Sequence, residues 1–334
     1  MNAVRFETPF TRQAHVEVPL ICGPMYPCSN PELVAAVSRA GGLGVVQPVS
    51  LTFVYGHDFR QGLRLIRQQT SSPVGMNALI EKSSRRYQER MQEWVNIALE
   101  EGIRFFITSL GNPRWVVDRV AEYGGIVYHD ATERKWAMKA LDAGVDGLIA
   151  VNNRAGGHAG RLSAEQLLDE LGDLNLPLIC AGGIGDEKQF VEAMRMGYAG
   201  CQSGTRFIAT DECRAAAPYK QAIIEAQEQD IVLSERITGV PVSLINTPHV
   251  AAMGLKAGPL ARRMLRGNKS KHWLRMLYTL RSAFQLRHAS LNEDGEREFW
   301  QAGKSVAGIH QVEPAGEIVR RFHAALLQMN GREG

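Results

Sequence analysis

Eight short apolar runs alternate with helix-forming segments over the first two thirds of the chain, and this alternation constrains the fold more than any other feature. The runs lie at residues 19–22, 43–47, 74–79, 103–108, 126–129, 145–151, 178–181 and 200–208. Near-continuous apolar character is typical of parallel strands that are covered on both faces. The sequence therefore predicts eight buried parallel strands.

The segments between these runs carry the signals of helix boundaries. At 30–42, 112–125, 132–144 and 186–197, an Asn, Thr or Asp precedes an apolar stripe, and Gly ends the segment. The polar side chain accepts from free amides at a helix start, and Gly takes the left-handed conformation at a helix end. Eight strand and helix units favour the α/β class and a closed (β/α)8 TIM barrel.

An open Rossmann-like sheet is the alternative architecture, and it requires a glycine-rich fingerprint after its first strand. The residues that follow Cys22 are Gly-Pro-Met-Tyr-Pro. They lack the G-x-G-x-x-G spacing of that fingerprint. We therefore predict the barrel.

The alternation stops near Glu212, where a longer helical pattern begins. That pattern covers 215–229 and continues through a basic stretch to 286, and a final amphipathic helix is predicted at about 314–328. The simplest layout is a barrel built from residues 1–212 and 301–334. A helical, substrate-binding insertion then occupies residues 213–300.

Composition narrows the location and the partners of such a chain. Hydrophobic residues make up 45% of it, which is enough to bury a large core, and there is no uncharged apolar run of membrane-spanning length. The first residues do not form a signal peptide, so we expect a cytoplasmic protein. Five cysteines without a C-x-x-C pair argue against a disulfide framework and against a metal site. No nucleic-acid partner is expected.

The segment 236–292 contains ten Lys or Arg residues and no Asp or Glu. The whole chain carries net charge +3, so the rest of it carries −7. Such a surface attracts the phosphates of NADPH, CoA or phosphopantetheine. The alternative is a basic helical face that packs against the acidic barrel or in a homodimer. Its aromatic residues Trp273, Tyr278 and Phe284 form either a partner surface or a core stripe.

Two glycine clusters predict a phosphate site. Gly182 and Gly183 follow the seventh run, and Gly204 and Thr205 lie in the eighth. Paired glycines let backbone amides approach an anion, and in TIM barrels phosphates commonly bind after strands seven and eight. We therefore expect a phosphorylated ligand.

His158 is the candidate catalytic residue. It follows the sixth run within Ala155-Gly156-Gly157-His158-Ala159-Gly160, where small neighbours let a ligand come close. Imidazole titrates near neutral pH and serves as an acid, a base or a cationic stabiliser. A lone His is more often structural, but its place beside the predicted phosphate site favours catalysis.

These motifs together resemble the nitronate monooxygenase family, which also includes FMN-dependent enoyl-acyl-carrier-protein reductases. They are Gly23-Pro24-Met25, Ala155-Gly156-Gly157-His158, Ala181-Gly182-Gly183-Ile184, Gly204-Thr205-Arg206-Phe207 and Ala302-Gly303-Lys304-Ser305. The resemblance implies a TIM barrel with non-covalent FMN at its mouth and His158 over the reactive flavin face. The cofactor-binding residues that it implies are Pro24, Met25, Asn77, His129, Ala181, Gly182, Gly183, Gln202, Gly204, Thr205, Gly303 and Ser305.

The chain also departs from the family pattern. The family often has His-Lys after the fifth strand, where this chain has His129-Asp130, and it often has Gln where this chain has Lys304. An acidic residue often precedes the Ala-Gly-Gly-His motif, where this chain has Asn152, Asn153 and Arg154. An Asp cannot supply the positive charge that a Lys gives flavin N1. Our hypothesis is that Lys304 or Arg154 supplies this charge instead.

The resemblance leaves two reactions and one non-catalytic role open. The leading hypothesis is FMN-dependent oxidation of alkyl nitronates by O₂ to a carbonyl compound and nitrite. The alternative is reduction of an enoyl thioester or a quinone with NAD(P)H, which the basic segment favours. The third is a flavin-binding or phosphate-binding subunit of a larger assembly. In the first two cases the partner is a small-molecule substrate.

Overall fold

Eight parallel strands close into a barrel, as the sequence predicts. The computed structural model describes residues 6–81, 84–236, 241–256, 286–291 and 299–330. Each barrel strand pairs in parallel with the next, and the last pairs with the first. The strands are β1 (Leu20–Cys22), β2 (Leu43–Val46), β3 (Val74–Ile80), β4 (Phe105–Leu110), β5 (Ile126–Ala131), β6 (Gly147–Val151), β7 (Leu178–Ala181) and β8 (Gly200–Ser203).

Most of the helices follow a barrel strand and cover the outside of the barrel, whereas the first precedes β1. They are α1 (Pro9–Ala14), α2 (Pro31–Arg39), α3 (Phe59–Gln69), α4 (Arg85–Glu100), α5 (Arg114–Ala121), α6 (Arg134–Asp142), α7 (Ala164–Leu171), α8 (Glu187–Met196), α9 (Thr205–Ile208), α10 (Ala217–Glu225), α11 (Pro248–Met253) and α12 (Ala315–Asn330). Shorter helical turns lie at Ser50–Val54, Gly172–Leu174, Glu228–Asp230 and Lys304–Gly308. No helix in the described ranges is long and apolar enough to cross a membrane.

The helix boundary signals act in part as predicted. At α8 the Asp186 side chain accepts from the amide of Gln189, and Gly197 ends the helix at φ 108°. At α2, however, the Asn30 side chain does not cap the helix. It donates instead to Glu32 and to the carbonyl of Glu212, and so joins the first loop to the segment after the barrel.

The barrel interior is filled by side chains that alternate along the strands. Phe10 of α1 packs with Phe105 and Tyr128 at the amino-terminal end of the strands. Ile21, Tyr128 and Ile179 face the axis from odd-numbered strands. Because side chains alternate between the two faces of a strand, the residues two positions further on face the same axis at the carboxyl end. These residues are Gly23, Asp130 and Ala181. Asn77 faces the axis at the same end from β3.

Two sequence predictions are corrected by the structure. The eighth run does not stay extended to 208: the strand ends at Ser203, and α9 begins at Thr205. The region after residue 213 is not wholly helical, because β9 (Ile231–Ser234) and β10 (Val242–Ile245) form an antiparallel pair. Two four-residue strands beside a basic helical pattern produce too little alternation to be recognised.

Much of the predicted insertion lies outside the described residues. This applies to Trp273, Tyr278 and Phe284 and to most of the basic segment, of which the structure describes 236, 241–256 and 286–291. The division into barrel and insertion stays a prediction.

Candidate active site at the carboxyl end of the barrel

The glycines after β7 are required by the packing of two neighbouring loops. Gly182 and Gly183 have φ of 119° and 83°, a region that favours glycine. A Cβ on Gly182 would lie 2.3 Å from Oδ1 of Asn152, and one on Gly183 would lie 2.6 Å from Nε of Arg154. The loop after β6 therefore lies directly against these two glycines.

Asn152 joins the loops after β6 and β7 by hydrogen bonds, a role that its sequence context did not predict. Its buried side-chain amide donates to the carbonyl of Gly182 at 3.0 Å, and its Oδ1 accepts from the amide of Arg154 at 2.8 Å. Because these bonds use both ends of the side chain, Asn152 sets the path of the chain into the Ala-Gly-Gly-His motif. A strand-terminal Asn before a glycine-rich loop was the available signal.

The segment at Gly303 closes this side of the mouth. The amide of Gly303 donates to Oγ1 of Thr205 at 3.0 Å. A Cβ on Gly303 would lie 2.6 Å from the amide nitrogen of Gly156, and one on Gly185 would lie 2.0 Å from the carbonyl oxygen of Ser305. The structure thus brings the predicted residues Thr205, Gly303 and Ser305 together with the loops after β6 and β7.

Arg154 connects the mouth to the region after the barrel. Its guanidinium forms an ion pair with Glu228, and its side chain packs against Gly183. The amide of Lys304 donates to the carbonyl of Arg154 at 2.9 Å. Arg154 is therefore placed beside the glycine cradle, although its charge is shared with Glu228.

The loop that carries His158 is held from one side by β10. Gly157 has φ 67°, and its carbonyl accepts from the amide of Ser243 at 2.8 Å. His158 is exposed on the loop after β6, yet desolvation by the surrounding protein lowers its pKa. The neutral ring therefore predominates at pH 7.

The first loop reaches across to the eighth. A Cβ on Gly204 would lie 3.3 Å from Sδ of Met25, and the amide of Met25 is held by Oγ of Ser29 at 2.8 Å. Gln202 packs under Gly23, and its buried Oε1 has no hydrogen-bond partner in the described structure. Pro24 is half-buried beside them. Asn77 and Ala181 face the same space from β3 and β7.

His129 and Asp130 lie on opposite faces of β5. His129 is buried on the face toward the helices, with Nδ1 2.8 Å from Oγ1 of Thr108, and desolvation lowers its pKa to about 4. Contact of His129 with a cofactor stays a prediction. The side chain lies on the face of β5 away from the barrel axis, and this position does not favour such a contact. Asp130 faces the axis, and desolvation raises its pKa to about 7. In the sequence alone, Asp130 is recognisable only as a departure from a family pattern.

Most of the chain matches a known protein family. Residues 7–324 match the family model described as nitronate monooxygenase. A probable nitronate monooxygenase of Staphylococcus saprophyticus is 28% identical over 293 residues, which cover 75% of this chain and 81% of that protein. FabK of Thermotoga maritima superposes with a TM-score of 0.79 at 25% identity and 98% coverage of both chains.

A further relative carries a different name. The (3aS,4S,5R,7aS)-5-hydroxy-7a-methyl-1-oxo-octahydro-1H-indene-4-carboxyl-CoA dehydrogenase of Mycobacterium tuberculosis is 25% identical over 332 residues. These cover 97% of this chain and 89% of that protein. Both names therefore occur among relatives of similar identity.

Proposed function

Since the chain belongs to the nitronate monooxygenase family and is an oxidoreductase, we propose that it binds FMN at the carboxyl end of the barrel and oxidises alkyl nitronates with O₂. The products are a carbonyl compound and nitrite. The observation that carries the proposal is the placement of His158 in the loop that packs against the Gly182-Gly183 cradle.

The residues around the mouth fit FMN. Gly182 and Gly183 present backbone to an anion, and Thr205, whose oxygen already accepts from Gly303, keeps its hydroxyl proton for a phosphate oxygen. Two buried oxygens that lack partners, Oε1 of Gln202 and Oδ1 of Asp130, lie among polar groups toward which the ring's polar edge would point. Buried polar atoms normally have partners, and a polar ligand in the mouth would supply one to each of these oxygens.

His158 would move or hold the substrate's proton. Its pKa is lowered, so at pH 7 its unprotonated ring nitrogen accepts the α-proton of a neutral nitroalkane. With a preformed nitronate, the N–H of the same neutral ring donates to a nitronate oxygen. The bound flavin supplies the electron acceptor for the oxidation. The exposure of His158 leaves room for a small substrate beside it.

The experiment uses the purified protein loaded with FMN and kept without oxygen. It is mixed separately with propionate 3-nitronate, NADH and NADPH while the visible flavin absorbance is followed. Bleaching by the nitronate, without a response to either nicotinamide, is the expected result. Bleaching by NADH or NADPH with no response to the nitronate would contradict it.

A second candidate function is favoured by one observation. The basic segment 236–292 suits the phosphates of a CoA or phosphopantetheine thioester or of NADPH, and the Mycobacterium tuberculosis relative is named for a CoA thioester. NAD(P)H-dependent reduction of an enoyl thioester or a quinone is therefore the alternative. A steep fall in substrate affinity with added salt would distinguish it from oxidation of a small nitronate.

A further inference from the structure

Asp130 is a carboxyl group at the carboxyl-end layer of the barrel interior. Its register partner on β6 is Ile149, which belongs to the interior cluster together with Tyr128, two residues before Asp130. Alternation along β5 therefore directs Asp130 toward the axis. Asn77 and Ala181 face the axis at the same end from β3 and β7, so Asp130 belongs to the layer on which a ligand in the mouth would rest.

Asp130 is half-buried, and one oxygen of its carboxyl group has no hydrogen-bond partner among the described residues. Its Oδ1 is buried and makes no hydrogen bond within the described structure, and no ion pair involving it is found there. A buried acceptor without a partner is costly, and an isolated buried carboxylate is more costly still. The site therefore favours a neutral carboxylic acid or a ligand that satisfies the group.

No charge from the surrounding strands offsets this cost. The register partner on β6 is Ile149, and the β4–β5 register ends one residue earlier at Thr108 and His129; neither Ile149 nor Ser109, which follows Thr108, titrates. His129 on the same strand faces the helices, where it bonds Thr108. The groups on β1, β3, β7 and β8 that face the same space are Gly23, Asn77, Ala181 and Gln202, which carry no charge. His158 approaches from the loop after β6, and its lowered pKa keeps it neutral at pH 7.

The chemistry of the group then depends on one proton. A protonated carboxyl donates one hydrogen bond, whereas a carboxylate only accepts. The polar edge of an oxidised isoalloxazine offers mainly ring nitrogen and carbonyl acceptors, to which a carboxylate has nothing to donate. A neutral Asp130 would supply the hydrogen-bond donor that a Lys supplies elsewhere in the family, without its positive charge.

We propose that Asp130 binds the flavin's polar edge as a neutral carboxylic acid, so that a proton on Asp130 is bound together with the cofactor. The inference rests on the proposed FMN site. Desolvation alone raises the pKa of this group to about 7, which brings the titration into a range where it is measurable. Flavin affinity then falls by about tenfold per pH unit once the pH exceeds the pKa that Asp130 has in the flavin-free protein.

The test is the pH dependence of riboflavin affinity, measured from flavin fluorescence with the full chain freed of flavin. Riboflavin lacks the phosphate, whose own titration would otherwise contribute. Between about pH 7 and about pH 9, His158 is already neutral and the buried Cys22, Cys201 and Tyr128 stay protonated because their pKa values are raised. Asp130 is then the group expected to titrate at the mouth. A hydrogen bond with Cys28 lowers the pKa of Cys213 beside the first loop, and the comparison with Asp130→Asn separates that thiol because the variant leaves it unchanged.

Two variants isolate the effect. Asp130→Asn keeps the size of the side chain and a hydrogen-bond donor, but it cannot titrate. Between about pH 7 and about pH 9 we expect its riboflavin dissociation constant to stay level within about twofold, whereas that of the unchanged protein rises steeply. Asp118→Asn is the matched control, because it makes the same change at an exposed carboxyl group on α5. Its riboflavin affinity should vary with pH as that of the unchanged protein does. A ¹³C carboxyl titration of Asp130 in flavin-free protein, expected with a midpoint near neutrality, covers the case in which Asp130→Asn fails to fold.

The outcomes separate this inference from the proposed function. Riboflavin and FMN binding with no pH dependence, or with a slope that Asp130→Asn retains, would overturn the role of Asp130 and leave the FMN site in place. An Asp130 carboxyl that titrates near pH 4 would do the same. Failure of both flavins to bind at every pH would overturn the FMN site and this inference with it.

Discussion

The amide of Ser243 donates a hydrogen bond to the carbonyl of Gly157 at 2.8 Å, one residue before His158. This bond joins β10, which lies outside the eight barrel strands, to the loop that carries the candidate catalytic group. The position of His158 therefore depends on a segment more than 80 residues away in sequence.

Removing that amide should disturb catalysis more than stability. Ser243→Pro deletes the donor, and the loss of one hydrogen bond costs about 1 kcal/mol, with further strain from the ring in a strand. We expect a lower kcat with little change in FMN affinity, because Gly182 and Gly183 are untouched. Ser243→Ala, which keeps the amide, is the control. Equal kcat values in the two variants would contradict the coupling.

Replacing His158 by Asn should remove the base without emptying the flavin site. General acid–base groups contribute about 10² to 10⁴ in rate, so a fall of that size in kcat for a neutral nitroalkane is expected. FMN fluorescence titration should give an unchanged dissociation constant. A variant with full turnover would rule out His158 as the base.

The activity of the unchanged protein should depend on pH through His158. Desolvation lowers its pKa below the usual 6.5, so the ring is the neutral base above that range. We expect kcat/KM for neutral nitroalkanes to be level near pH 7 and to fall as the pH drops through the lowered pKa. Preformed nitronates, which need no base, should lack this acid limb, and a shared limb in both profiles would argue against the assignment.

Thr205 should contribute to FMN but not to riboflavin binding. Thr205→Val removes the hydroxyl that is free to donate to phosphate, and a hydrogen bond to a charged group is worth about 1.5 to 3 kcal/mol, or roughly tenfold or more in affinity. Thr205→Ser keeps the hydroxyl and serves as the control. The ratio of the FMN and riboflavin dissociation constants is the measurement. An unchanged ratio would place the phosphate elsewhere.

Arg206 should be important for stability instead of chemistry. Its buried guanidinium donates to the carbonyls of Ala209 and Gln311 at 2.7 and 2.8 Å and lies 3.4 Å from Glu313. Arg206→Met removes the donor to the two carbonyls, whereas Glu313 keeps its paired hydrogen bonds from Arg321. Each buried acceptor that is left without a partner costs about 1 to 3 kcal/mol. Thermal unfolding should show a marked fall in Tm. The exposed Arg85→Met on α4 should leave Tm nearly unchanged.

Part of the site was predictable because its signals are local. Gly182, Gly183 and His158 stand at strand ends, and the parallel arrangement that the apolar runs imply brings all such ends to one face. Asn152 and Asp130 were not recognised. Asn152 bonds a carbonyl in the loop after another strand, and Asp130 is distinguished by a buried Oδ1 that lacks a hydrogen-bond partner among the described residues. Neither property is written in a residue type.

The sequence by itself determined the barrel, since buried parallel strands and capped helices require residue patterns that can be read within about 30 residues. Only the tertiary structure decided that β9 and β10 pair, that Ser243 holds the His158 loop and that Oδ1 of Asp130 is buried without a hydrogen bond from the described part of the chain. These relationships join residues that are distant in sequence. They form only when the closed barrel brings its loops together, and desolvation at the mouth then changes the proton affinity of what it encloses.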